Sequence, residues 1–194
     1  NNGSAGSLTT LSVDTLVPCL TSIALTSATG AVANPSDATV KLLNTSDTLS
    51  ASVIFTEAVT LVTSAGAPTL ALVIGSSTVL ATYVSGSGTN TLVFTTTVAA
   101  FQNDSNGVAM ASNALSLNGA TIKDANGNNA SITSSAVSDN AKYLVDTTRP
   151  TVNVTSDIAT LNSAQTATIT FTFSEDPFSS FVWNGTTGDL VVSG

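Results

Sequence analysis

The chain has no histidine, one cysteine and only four basic residues among 194. Without histidine it lacks the commonest general base and any Ser-His or Cys-His pair, and it carries no nucleotide-binding or nucleophile motif. We therefore expect no enzymatic activity. Cys19 has no partner for an internal disulfide, and its setting, PCLTSIAL, predicts a buried strand position.

Positive charge and long apolar runs are equally scarce. The four basic residues are dispersed along a chain of net charge −8, so no basic cluster exists for phosphate groups and we expect no nucleic-acid partner. No run of about 18 apolar residues occurs, so we expect no insertion into a membrane. An acidic, histidine-free chain instead suits hard cations such as Ca²⁺.

Alternation of apolar and polar residues is the main signal that is present. Residues 49–55 (LSASVIF) place Leu49, Ala51, Val53 and Phe55 on one face, and residues 166–173 (TATITFTF) do the same with Ala167, Ile169, Phe171 and Phe173. Three more strands, separated by turns at 75–77 and 85–90, lie between residues 69 and 98, and others are predicted at 114–119 and 141–146. This pattern predicts an all-β fold, an Ig-like antiparallel β-sandwich.

A repeated pattern divides the chain. VDTLVP at 13–18 returns in altered form as VDTTRP at 145–150. Each copy is followed by one predicted strand, and then by a second predicted strand that ends in Phe-x-Glu. We interpret residues 1–12 as the last strand of a preceding module and residues 13–145 as one complete module. Residues 146–194 are then the N-terminal part of the next module.

Three segments carry a family resemblance: the stretch from FTEAVTLVTSAG to FTTTVAA, then LSLNGATIKDANGNNA, then YLVDTTRPTV. In this order they resemble the Ig-like tandem repeats of giant bacterial surface adhesins, of the biofilm-associated type. The resemblance implies an extracellular module at the bacterial cell surface, whose partners are neighbouring modules of the same chain and other copies in a fibre. It also implies Ca²⁺ at or near module junctions.

Candidate ligands for Ca²⁺ follow from the topology of such a sandwich, in which the second strand, the last hairpin turn and the incoming segment share one pole. This would bring together Asp14, Glu57 and the turn 124–128 (DANGN), with oxygen ligands from Asp124, Asn126 and Asn128. The corresponding positions of the next module are Asp146 and Glu175, with Asp176 beside them. Arg149 stands where the family has a small residue, and its charge complicates this second site.

A further acidic turn, NDSNG at 103–107, offers Asp104 as a ligand near the following junction. Both this turn and the turn at 124–128 have a simpler interpretation, because Asn, Asp and Gly form tight turns without any metal. Trp183 and Phe181 could line a sugar-binding surface, but as core residues they would pack on the face of Phe171 and Phe173.

Three functions remain open from the sequence. The first is a structural extender module stiffened by Ca²⁺ at its junctions. The second is a module whose exposed turns bind a glycan or a protein. The third is a filament subunit assembled by strand complementation between copies, since an incomplete module would leave strand edges unpaired.

Overall fold

The computed structural model of the chain describes residues 13–176 and 181–182, which form strands and turns and contain no helix. The prediction of an all-β, antiparallel, sandwich-like fold is therefore confirmed. The chain divides into two compact units, Asn1–Thr147 and Thr148–Gly194. The division falls inside VDTTRP, between its two threonines. No helix in the described part of the chain is long and apolar enough to cross a membrane.

The first unit begins with a hairpin-rich half. Its strands are β1 (Leu20–Thr29), β2 (Val32–Asn34), β3 (Asp37–Leu43), β4 (Thr48–Val62), β5 (Thr69–Ile74), β6 (Ser77–Ser85) and β7 (Thr89–Thr97). The predicted hairpin turns are confirmed, because β5 ends one residue before Gly75 and β7 begins just after Gly88. The β2–β3 hairpin was not predicted, since VANPSDATVKLL lacks a long alternating run.

The strands after β7 are short. They are β8 (Val108–Met110), β9 (Leu115–Ser116), β10 (Thr121–Lys123), β11 (Val137–Asn140) and β12 (Tyr143–Val145). The main sheet has the order β1-β4-β7-β6-β5-β8-β11, with β10 paired to β4 and β9 paired to β5. A second sheet has the order β12-β3-β2, in which β12 runs parallel to β3 and aligns Val145 with Leu43.

The core of this unit follows the predicted alternation of β4. Leu49, Ala51, Val53 and Phe55 are all buried. In the pairing with β7, Ala51 aligns with Phe94 and Val53 with Leu92, and both β7 residues are also fully buried. Phe94 contacts the ring of Tyr83 edge-on, with 5.9 Å between the ring centroids. These side chains lie on the same face of the main sheet and belong to one continuous hydrophobic core.

Two sequence expectations need correction in this unit. Strand β4 does not end at Glu57 but continues to Val62, because Val59 and Leu61 remain buried and β10 pairs with residues 60–62. Cys19 is not buried but half-buried. Pro18 takes the inward position instead, which turns the neighbouring Cys19 side chain outward, with its Sγ 3.5 Å from the carbonyl oxygen of Val17.

The second unit contains β13 (Val152–Ser156) and β14 (Ile169–Phe173), which pair antiparallel. The predicted face of β14 is only partly confirmed: Phe171 and Phe173 are half-buried, but Ile169 is 49% exposed. Phe181 packs on both phenylalanines as predicted, with centroid distances of 5.9 and 4.9 Å. Trp183 lies outside the described residues.

The buried face of the sheet is the part of the fold that a single substitution tests best. Phe94→Ala should lower the free energy of unfolding by about 3–5 kcal/mol, because it removes a fully buried ring and leaves a cavity. Thr78→Ala on the exposed side of β6 is the control and should change it by less than about 0.5 kcal/mol. Urea denaturation followed by tyrosine fluorescence measures both, and equal effects would contradict this assignment of the core.

Candidate cation site

An acidic cluster forms where the N-terminal segment meets the sandwich. Asp14, Glu57 and Asp124 each place one carboxylate oxygen within 4.8 Å of the others. Asp124 is buried, at 5% exposure, while Asp14 and Glu57 are half-buried. Residues separated by as many as 110 positions in the chain thus meet at one point, as the topology argument predicted they would.

Asp14 is held in place by the segment that precedes β1. The backbone of this segment bonds to the sandwich on two sides: Ser131 N–H donates to the carbonyl of Pro18 at 2.8 Å, and Cys19 N–H donates to Thr56 Oγ1 at 3.0 Å. Asp14 Oδ1 accepts from the N–H of Leu16 at 3.0 Å, a local turn that fixes the side chain. The position of Asp14 therefore depends on contacts with β4 and with the residues after β10.

Glu57 is placed by an irregularity in β4. The β4–β7 ladder passes from Ile54↔Thr91 directly to Val59↔Thr89, so the residues between Ile54 and Val59 bulge out of register. A bulge re-aims the side chains it contains. Glu57 lies within it, immediately after Thr56, whose N–H donates to the carbonyl of Cys19 at 2.9 Å.

Asp124 organises the turn DANGN after β10. Its Oδ1 accepts from the N–H groups of Asn126 (2.9 Å) and Asn128 (2.8 Å), and its Oδ2 accepts from Asn128 Nδ2 (2.7 Å). Gly127 has a φ of +93°, a backbone conformation that glycine adopts without strain. The turn is thus a tight Asx-type turn, as its composition alone would predict, and it also delivers a carboxylate to the cluster.

The ionisation of Asp124 is favoured by these donors. Burial alone would raise the pKa of this carboxyl, but the hydrogen bonds outweigh it and hold the pKa below the ordinary value. The donors are the Asn128 side chain and the backbone N–H groups of Asn128, Asn126 and Gly127. No lysine or arginine contributes to this lowering.

The two asparagines of the turn face the cluster with their nitrogens. Asn126 Nδ2 donates to Asp14 Oδ2 at 2.8 Å, and Asn128 Nδ2 lies 3.2 Å from the Asp14 carbonyl and 3.0 Å from the Leu16 carbonyl. They therefore act as donors that join Asp14 to the turn, whereas the sequence predicted that they offer oxygen ligands. The carbonyl oxygens of Asp14 and Leu16 were not predicted, because no sequence signal marks a backbone carbonyl.

Asp104 does not belong to this cluster. It is 4% exposed, its Oδ2 accepts from Gly75 N–H at 2.8 Å, and its Oδ1 accepts from Gly107 N–H at 2.8 Å. Its backbone pairs with Val145 in both directions. Both carboxylate oxygens therefore stabilise the loop and the adjoining hairpin turn, which agrees with the simpler interpretation of NDSNG as a plain turn. The loop also contacts Thr147, the last residue of the first unit, since Asn103 Oδ1 accepts from Thr147 N–H at 2.7 Å.

The ligands predicted for a second site lie in different units. Asp146 is an exposed residue of the first unit, held through its N–H to the carbonyl of Leu43 at 2.9 Å, while Arg149, Glu175 and Asp176 belong to the second. Glu175 Oε1 is shielded from solvent and has no hydrogen-bond partner in the structure. Glu175 follows Phe173 in the same Phe-x-Glu pattern in which Glu57 follows Phe55. The second site stays a prediction.

Searches with protein-family models, among curated proteins and among solved structures found no match to this chain. The adhesin resemblance therefore stays a prediction. The acidic cluster is the feature on which a functional proposal can rest.

The lowered pKa of Asp124 predicts how the stability of the fold changes at acidic pH. A carboxyl with a lowered pKa in the folded state stabilises the fold above its unfolded value of about 4, and this contribution is lost as the pH falls through the folded pKa. In EGTA, Asp124→Asn should therefore be less stable than the wild type at neutral pH. The difference should shrink in strong acid. Urea midpoints measured across this pH range test it, and a difference that grows in acid would rule out this role for Asp124.

Proposed function

We propose that the chain is a structural extender module of a large bacterial cell-surface adhesin or biofilm matrix fibre, stiffened by Ca²⁺ at the junction formed by Asp14, Glu57 and Asp124. The single observation that carries the proposal is the convergence of these carboxylates from the incoming segment, strand β4 and the turn after β10. The all-β sandwich fold suits an extracellular role of this kind. The adhesin part of the proposal rests on the sequence resemblance.

The donor set fits calcium better than other metals. The cluster offers carboxylate oxygens, and the carbonyl oxygens of Asp14 and Leu16 lie beside it, bonded to the Asn128 amide. Hard oxygen ligands of this kind are those that Ca²⁺ takes, whereas zinc and copper sites draw on histidine and cysteine. The half-buried position of Asp14 and Glu57 leaves them accessible from solvent.

Stiffening follows from where Asp14 lies in the chain. Three carboxylates within 4.8 Å repel one another, and that repulsion pushes the segment 13–18 away from the sandwich. A bound Ca²⁺ would supply the positive charge that offsets this repulsion. Asn126, Asn128 and Ser131 already bond the segment to the sandwich, so the direction in which the chain enters the module would be set by the cluster.

Calcium should raise the thermal stability of the chain. Extracellular modules bind Ca²⁺ with Kd values on the order of 10⁻⁴–10⁻³ M. At about 100-fold excess over Kd the stabilisation is roughly 2.7 kcal/mol, which raises the Tm by roughly 5–10 °C for a unit of this size. Scanning calorimetry with EGTA and with excess Ca²⁺ measures the shift.

Substitutions in the cluster, compared with a matched control, test whether the calcium-induced rise in Tm arises from this site. Asp14→Asn and Glu57→Gln should each lose most of the calcium-induced shift in Tm, because each removes one charged ligand. Asp139→Asn removes the same charge from an exposed residue outside the cluster and should keep the full shift. A wild-type chain whose Tm does not respond to Ca²⁺ would contradict the proposal, as would an equal loss in the control.

A second candidate, strand pairing between copies, is favoured by one observation. Strand β1 is at the edge of the main sheet, and beyond Leu20, whose N–H donates to Ser131, its outer edge has no strand partner among the described residues. The strand, LTSIALTSAT, contains no charge and no proline, the residues that commonly protect an edge. A groove of about 340 Å³ runs between its start and residues 133–137.

If copies pair through this edge, a lysine there should prevent it. The wild-type chain should form dimers or larger species as its concentration rises, while Ala24→Lys, an exposed position in β1, should remain a monomer. Thr78→Lys, on the exposed side of β6, is the control and should associate like the wild type. Size-exclusion chromatography with light scattering measures the mass, and a wild-type monomer at every concentration would rule out the second candidate.

A further inference from the structure

Three Asn–Gly pairs lie in the described part of the chain: 106–107, 118–119 and 126–127. Asparagine is chemically labile, and it is most labile before glycine, because no side chain hinders attack by the next backbone nitrogen on the asparagine amide. The sequence does not distinguish the three pairs. Their surroundings in the fold do.

The first pair is held at its nucleophilic nitrogen. Gly107 is buried, and its N–H donates to the carboxylate of Asp104 at 2.8 Å. A Cβ at Gly107 would lie only 2.2 Å from the carbonyl oxygen of Asn140, so the glycine is packed closely against the Asn140 backbone. The Asn106 amide is also engaged, as a donor to Asp139. Attack on Asn106 would require this loop to open.

The second pair is held at its amide. Asn118 Nδ2 donates to the Ala67 carbonyl at 3.1 Å and lies 3.0 Å from Thr69 Oγ1. Its Oδ1 accepts from Ser116 at 2.8 Å. The next residue is crowded as well, since a Cβ at Gly119 would lie 2.5 Å from the Ala65 carbonyl. The side chain cannot turn toward the backbone nitrogen without losing several hydrogen bonds.

The third pair is held less firmly than the other two, because it is exposed and uncrowded. Asn126 and Gly127 are both exposed, and a Cβ at Gly127 would have nothing within 4 Å. The N–H of Gly127 lies 3.4 Å from the Asp124 carbonyl, near the upper limit for a hydrogen bond, and it is the weakest of the donors to the Asp124 carboxyl. One hydrogen bond, from Asn126 Nδ2 to Asp14 at 2.8 Å, holds the amide.

We propose that Asn126 is a site of spontaneous deamidation that adds a fourth negative charge to the acidic cluster. The Gly127 nitrogen attacks Asn126 Cγ, the Cγ–Nδ2 bond breaks, and the amide nitrogen leaves as ammonia with the proton from Gly127. Water then opens the cyclic imide and leaves aspartate or isoaspartate at position 126. The reaction needs no oxidant and no partner beyond water.

The new carboxylate changes the cluster because of what Asn126 does there. The amide donates to Asp14, so its conversion replaces a hydrogen bond with a repulsion between two like charges. Without a cation the incoming segment is held less firmly. With Ca²⁺ the additional oxygen ligand raises the affinity, because charge count tunes such sites. This second consequence rests on the proposed calcium site, whereas the deamidation does not.

Peptide mapping by mass spectrometry tests the modification. The purified chain is incubated at mildly alkaline pH, folded and in urea, and the conversion of –NH₂ to –OH is followed at each Asn–Gly pair. In the folded chain position 126 should convert several times faster than positions 106 and 118, and in urea the three should convert at similar rates. Folded-state rates that are equal, or faster at either other position, overturn the proposal.

The product mimic Asn126→Asp tests the effect on the cluster. In EGTA this variant should melt below the wild type, and Ca²⁺ should raise its Tm by more than it raises that of the wild type. Asn106→Asp adds the same charge elsewhere and should show the wild-type calcium shift. If both variants shift like a responsive wild type, the link to the cluster is wrong. If the wild type does not respond to Ca²⁺ while position 126 still converts fastest, the calcium proposal fails and the deamidation site stands.

Discussion

Strand β4 is the element on which the other parts of the first unit depend. Its buried face supplies Leu49, Ala51, Val53 and Phe55 to the core, and its backbone pairs with β1, β7 and β10. Because side chains alternate along a strand, a shift of one residue would turn the whole apolar set toward solvent, so the register of all three neighbours is tied to this face. The fold is organised around this single constraint.

The same strand connects the core to the candidate site. The bulge between Ile54 and Val59 interrupts the ladder with β7 just where β1 stops pairing, and Glu57 lies inside it. Asp14 reaches the cluster because the segment before β1 bonds to Thr56, and Asp124 reaches it because β10 pairs with the end of β4. The three carboxylates meet because each is attached to the same fifteen-residue strand or to one of its neighbours.

The asparagines of the turn supply amide donors to the carboxylates of the cluster. Asn126 and Asn128 donate to Asp14 and Asp124, so the carboxylates are brought together by amide hydrogen bonds and not by basic side chains. An amide stabilises a carboxylate without cancelling its charge, which preserves the attraction for a cation. The same arrangement leaves the charge of the site sensitive to any chemistry at Asn126, the exposed member of the pair.

Sequence patterns were sufficient to predict the fold class, the β5–β6 and β6–β7 turns, the buried face of β4 and the candidate ligands Asp14, Glu57 and Asp124. Alternation and turn residues can be read from neighbouring positions. The scarcity of basic residues is read from the composition, and the ligands followed from the topology expected of an Ig-like sandwich. Tertiary structure alone decided the length of β4, the outward side chain of Cys19, the donor role of Asn126 and Asn128, and the use of Asp104 within its own loop. These depend on which distant backbone groups approach each residue: Gly75 N–H and Val145 at Asp104, and β10 at the end of β4. No local pattern encodes such contacts, because they form only once strands far apart in the chain have paired.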